Sequence, residues 1–193
     1  MDKRWIGFVM FVLWWGAAPE VHGRYQHLTE PASLSLDVVA KTYTTPEALA
    51  DFLHQTMTLK TDEELFGTAD YWQKPEEFLA RRAGDCEDYA LFAQAILKRQ
   101  GIEAQVLSLY GRDGYAHTVC VFARGGRYNV INQDRVCYYQ ANTLTALAQR
   151  IHNDWSYGAL AEVAGTRGKP ILRITNPNPP SHFASFDSSF EFP

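Results

Sequence analysis

This sequence of 193 residues lacks three things. It has no long run of one charge sign: 18 lysines and arginines face 22 aspartates and glutamates, for a formal net charge of −4. That excludes the basic footprint by which nucleic-acid binders neutralise phosphate. It has little cysteine, only Cys86, Cys120 and Cys137, an odd count that cannot be fully paired. It has no apolar run long enough to cross a bilayer as a helix: the longest, Trp5 to Ala18, is about 14 residues where roughly 20 are needed. No internal repeat is visible either. What remains, 46% hydrophobic and 21% charged residues, suits one globular domain with a single core.

The first 23 residues stand apart. Met1-Asp2-Lys3-Arg4 is a short basic start, the apolar run follows, and small residues come next at Ala17-Ala18 and at Val21-His22-Gly23. This is the layout of a secretory signal peptide. An uncleaved anchor is the competing reading, because the run is rich in Trp and Phe. Export to the periplasm or medium is therefore expected, and with it an unpaired, reactive thiol in an oxidising compartment. Cys120 and Cys137 lie in strand-like stretches, where cysteine serves as a small buried hydrophobe. A bridge between the two is the alternative.

Residues 24–40 have no clear period and read as a lead-in. Thr45-Pro46-Glu47-Ala48 carries a cap, a first-turn proline and an acid, and Leu49, Leu53 and Met57 keep a four-residue spacing. These predict a helix over about 45–58. Thr61-Asp62-Glu63-Glu64 and Lys74-Pro75-Glu76-Glu77 open two shorter ones. Gly84 and Asp85 then break and cap, and a helix runs from Cys86 to a stop before Gly101. Beyond it the pattern turns to strands at about 104–110, 116–122, 128–131 and 136–139. A helix over 143–152 and an edge strand near 171–174 follow. The domain spans 41–175, and the Pro-, Asn- and Ser-rich stretch 176–193 reads as a poorly ordered tail. Helices first and an antiparallel meander second argue an α+β fold.

Cys86 opens a helix, where unpaired N–H groups and the dipole favour a thiolate and can hold an oxyanion. His117 is the one histidine on a strand that follows this helix, and so the candidate base. Asn132 and Asp134, one strand further, are candidates to hold its imidazole. A donor near Trp72 and Gln73 is a candidate oxyanion group.

The strings Gly84-Asp85-Cys86-Glu87-Asp88-Tyr89-Ala90, His117-Thr118-Val119-Cys120-Val121 and Tyr128-Asn129-Val130-Ile131-Asn132 resemble the transglutaminase-like superfamily, and within it the bacterial transglutaminase-like cysteine peptidases. The resemblance covers about Asp70 to Tyr139. It implies a papain-like fold, a nucleophile helix packed on an antiparallel sheet, with Cys86 as nucleophile and His117 as base. The third member is usually Asp where this sequence has Asn132. Papain-like enzymes use Asn in that role, and Asp134 substitutes if the strand is bulged.

Asp85, Glu87 and Asp88 cap the helix and complement its dipole, or hold calcium, as some exported relatives do through carboxylates beside the cysteine. No other cofactor is expected. The expected activity is hydrolysis of an amide bond, in a protein or peptide substrate, through an acyl-enzyme. Transamidation is open to the same intermediate, and a non-catalytic peptide-binding module on the same fold is the reading from a different class. The chain reads as a monomer that meets no nucleic acid and, once the leader is removed, no membrane.

Overall fold

The computed structural model describes residues 34–111, 114–164 and 166–177. The leader expected at 1–23 and all but the first residues of the expected tail lie outside these.

Helix α1, Leu36–Thr42, is capped by the Ser35 hydroxyl, which accepts from the Val38 N–H. It lies across the boundary between the segment read as a lead-in and the domain. Leu36, Val39 and Ala40 are buried in the main core, so the packed unit begins before residue 41. α2, Pro46–Thr56, starts on Thr45 with proline in its first turn. Strand β1, Thr58–Leu59, leads to α3, Asp62–Phe66, which is closed at its start by the reciprocal Thr61–Glu64 capping box. α4, Pro75–Arg81, ends where Arg82 turns left-handed at φ 58°. β2, Ala83–Gly84, then pairs in parallel with β1 and delivers the chain to α5, Cys86–Arg99.

Strands β3, Ala104–Gly111, β4, Ala116–Arg124, β5, Arg127–Asn132, and β6, Arg135–Ala141, form the expected meander. After α6, Leu144–Ile151, come β7, Trp155–Ala164, and β8, Arg167–Thr175. Among the described residues one sheet has the order β6-β5-β4-β3-β7-β8, antiparallel throughout. The fold is α+β, as the order of elements predicts.

Strand alternation splits the sheet into two apolar faces. Val106, Cys120, Phe122 and Ile131 join Phe92, Ala93 and Ile96 of α5 in one cluster. Leu107, Leu109, Val119, Val121 and Val130 join Leu147 and Ala148 of α6 in the other. α5 is thus buried along most of its length, and its exposed residues, Lys98 and Arg99, lie in its last turn.

β7, which has no counterpart in the sequence reading, is inserted beside the central strand β3. Its Gly158 is required there: a Cβ would lie 2.6 Å from Leu109 Cδ2 and 3.0 Å from the Ser108 carbonyl oxygen. All three cysteines are free. Cys120 pairs with Ile131 and Cys137 with Val130, so the two strand cysteines lie two strands apart, out of bonding register.

Candidate active site

Cys86 is the first residue of α5 and is half-buried. The β4–β5 ladder ends at the Cys120–Ile131 pair, leaving the β4 edge at Thr118 without a paired strand on that side. α5 packs against β4, and the Thr118 main chain favours ionisation of the thiol. The thiol itself donates to Glu87 Oε2 at 3.1 Å. Burial pushes the thiol far above its ordinary range, and the charges of Glu87 and Asp85 push it further, while the Thr118 main chain pulls it back.

His117 immediately precedes Thr118. Its Nε2 donates to Asn132 Oδ1 at 2.7 Å, which leaves the lone pair on Nδ1. Burial lowers the His117 pKa and the Asn132 bond raises it. The ring also meets Tyr115 edge-on, centroids 5.9 Å apart, and Tyr115 stacks on His152 at 3.8 Å. Asp134 takes no part in that bond. It lies in the turn after Asn132 and accepts from His54 Nδ1 at 2.7 Å.

The three acids of the cysteine motif divide in role. Asp88 is fully buried, and its carboxylate accepts from the Gln73 main-chain N–H at 2.8 Å, Gln73 Nε2 at 2.5 Å and the Asp85 N–H at 3.2 Å. It is a structural acid that ties the approach of α4 to the first turn of α5. Burial still raises its pKa to about 7, against the pull of the Gln73 bonds. Asp85 is pushed up to about 9, first by burial and then by the Glu87 carboxyl beside it. Burial raises Glu87 as well.

Two further acids escaped the sequence reading. Asp62, from the first turn of α3, and Asp70 bring ligand oxygens to within 4.8 Å of one another and of Glu87, and Asp62 does the same with Asp85 and Asp88. Burial raises both. Asp62 accepts from the Tyr71 N–H at 2.5 Å and Asp70 from Trp72 Nε1 at 3.0 Å, yet Asp62 Oδ1, Asp70 Oδ2 and Asp85 Oδ1 are buried with no protein donor. Converging, unsatisfied, hard oxygens next to raised carboxyl pKa values are a donor set that suits a hard cation. No local motif marks Asp62 or Asp70, because 15 to 25 residues separate them from Asp85 and Glu87 in sequence.

Gln73 offers no side-chain oxyanion donor. Its Nε2 is spent on Asp88 and on the Ala83 carbonyl at 3.0 Å, and its Oε1 accepts from Arg81 Nε at 3.1 Å. Trp72 is core: it is 5% exposed and its ring lies under Gly168, where a Cβ would come within 2.4 Å.

The family model described as bacterial transglutaminase-like cysteine proteinase matches residues 27–137. A "UPF0252 protein" of Archaeoglobus fulgidus is 31% identical over 71 residues, 36% of this chain but only 23% of that protein. Among solved structures, calcium-bound LapG of Legionella pneumophila is 22% identical with a TM-score of 0.44, covering 65% of this chain and 71% of that one. A protein of Cytophaga hutchinsonii is 17% identical with a TM-score of 0.42, covering 53% of this chain and 37% of that one. The chain thus spans about a quarter of the archaeal relative and about a third of the Cytophaga protein.

Proposed function

The chain belongs to the bacterial transglutaminase-like cysteine proteinases, and from this premise we propose that it is an exported hydrolase that cleaves a peptide bond in a protein substrate. Cys86 is the nucleophile, His117 the base and Asn132 the residue that fixes the imidazole. The observation that carries the reading is Cys86 at the start of the helix that packs on β4, the strand whose His117 has its Nε2 held by Asn132.

The chemistry follows from the tautomer. Nδ1 of His117 takes the thiol proton, and the sulfur attacks the substrate carbonyl carbon. The carbon–nitrogen bond breaks as the imidazolium returns its proton to the leaving amine. Water, deprotonated by the same nitrogen, attacks the thioester and releases the acid and the thiol. The N–H group of Cys86 at the start of α5 is the candidate donor to the oxyanion.

The resting thiol is poorly disposed to ionise, since it donates to one carboxylate and faces a second. Asp62, Asp70, Asp85 and Glu87 would hold a calcium ion, whose charge would offset the acids that oppose the thiolate. The support is the three orphaned carboxylate oxygens in this cluster. Asp88, already taken by Gln73 and Asp85, stays a support of the site rather than a ligand. Export is supported by the basic start and apolar run of residues 1–23.

The direct test is turnover of a protein substrate by the wild type and by Cys86→Ala, each with calcium and with a chelator. The expected result is cleavage by the wild type with calcium and by neither preparation of the variant. Full activity in Cys86→Ala would end the proposal.

A further inference from the structure

Asn132 closes β5, and the turn beyond it is short: Asn132 pairs with Arg135, with Gln133 at φ 52° and Asp134 between them. The placement of Asn132 Oδ1 therefore depends on what holds this turn. Asp134 ties it to α2. Its Oδ2 accepts from His54 Nδ1 near the end of that helix at 2.7 Å. Its other oxygen lies 3.7 Å from Arg135 Nε.

α2 is fastened to the edge strand a second time, two turns earlier. There the Tyr138 hydroxyl donates to Glu47, and Arg124 lies 3.0 Å from Tyr138 Oη and 3.7 Å from Glu47 Oε1. From Glu47 to His54 the helix rises about 10 Å, and from Asp134 to Tyr138 the strand advances about 13 Å. The helix thus lies along β6 with a polar clasp at each end. Only the His54–Asp134 clasp adjoins Asn132.

We propose that His54 and Asp134 form a positioning clamp that sets the β5–β6 turn, and through it Asn132 and the ring of His117. The inference rests on the roles given above to His117 and Asn132. His54 is 72% exposed in its side chain, so its contribution to the core is small and the pair's main consequence is geometric. A bond of 2.7 Å between Nε2 and Oδ1 tolerates little displacement of the turn.

The test compares His54→Ala and Asp134→Asn with Glu47→Ala, which opens the other clasp of the same helix, all in the full chain. Imidazole-proton NMR reads the His117 Nε2–H bond directly, and steady-state kinetics separate kcat from KM. Opening the clamp is expected to lower kcat about tenfold, the equivalent of one hydrogen bond, with KM within about twofold. It also moves the His117 Nε2–H resonance upfield, and the double variant is no worse than either single one. Glu47→Ala is expected to change neither reading. A wild-type His117 resonance and kcat in His54→Ala, or the same losses in Glu47→Ala, would overturn the clamp. The two readings fail separately. A wild type without turnover counts against the peptidase, while the resonance still decides the clamp.

Discussion

Gln73 and Asp88 lie 15 residues apart and share two hydrogen bonds, one from the main-chain N–H at 2.8 Å and one from Nε2 at 2.5 Å. Both groups are fully buried. This junction locks the loop before α4 to the first turn of α5, and so sets where Cys86 stands against the sheet.

Gly84 is the residue that lets the junction close. A Cβ there would lie 2.2 Å from Asp88 Oδ2 and 2.7 Å from Gln73 Nε2. Gly84→Ala is expected to cost about 1–3 kcal/mol, the range for a forced steric insertion, with loss of calcium response alongside. Chemical denaturation reads the first and a calcium-dependent shift in Tm the second. A stable variant with normal calcium response would show that the junction yields without consequence.

The acid cluster predicts an unusual pH dependence. Asp85 and Asp88 have folded pKa values of about 9 and about 7, both above the ordinary 3.8. A raised folded pKa means that the folded state binds the proton more tightly than the unfolded one. The stabilisation is complete below 3.8 and is lost as pH rises through about 7 and then about 9. In chelator, Tm is therefore expected to climb as pH falls from 9 toward 5. With calcium the slope should flatten, because the ion binds the ionised carboxylates of the folded state. Asp62→Asn is expected to raise Tm in chelator and weaken the calcium effect. Equal slopes with and without calcium would remove the ion from the account.

Asn132 gives the imidazole an acceptor without a charge. Asn132→Asp is expected to raise the His117 pKa by about one unit or more, as a carboxylate at hydrogen-bond distance favours the imidazolium. The sign is fixed: a histidine raised in the folded state moves the acid limb of kcat/KM to higher pH. Asn132→Ala is expected to lower kcat about tenfold through loss of the orienting bond. An acid limb that stays put in Asn132→Asp would place the base elsewhere.

Much of this was legible from local signals. Thr45-Pro46, Thr61 with Glu64, and Gly84-Asp85 mark helix starts that the structure has at α2, α3 and α5. The hairpins follow alternation and Gly125-Gly126, both left-handed, with φ 59° and 72°. β7 was not legible, because Gly158-Ala159-Leu160-Ala161 has poor strand propensity and is made by packing against β3. α1 was hidden by its seven-residue length. Within the site, an offset of two residues decides the roles. Asn132 lies within β5 and meets His117, while Asp134, two residues on, belongs to the turn and meets His54. Asp62 and Asp70 come to the cysteine only because β1 and β2 pair and bring α3 beside the start of α5. That relation is tertiary and leaves no local pattern.

The central claim is a Cys86–His117 pair restrained by its neighbouring acids, and the rate of Cys86 alkylation by iodoacetamide from pH 4 to 9 tests it most directly. With calcium, labelling is expected to be fast at mildly acidic pH and to lose that limb in His117→Ala; in chelator it should be slow. Labelling that rises only near pH 8.5, where an ordinary thiol ionises, with or without calcium and unchanged in His117→Ala, would contradict the pair and leave a peptide-binding module on a peptidase fold.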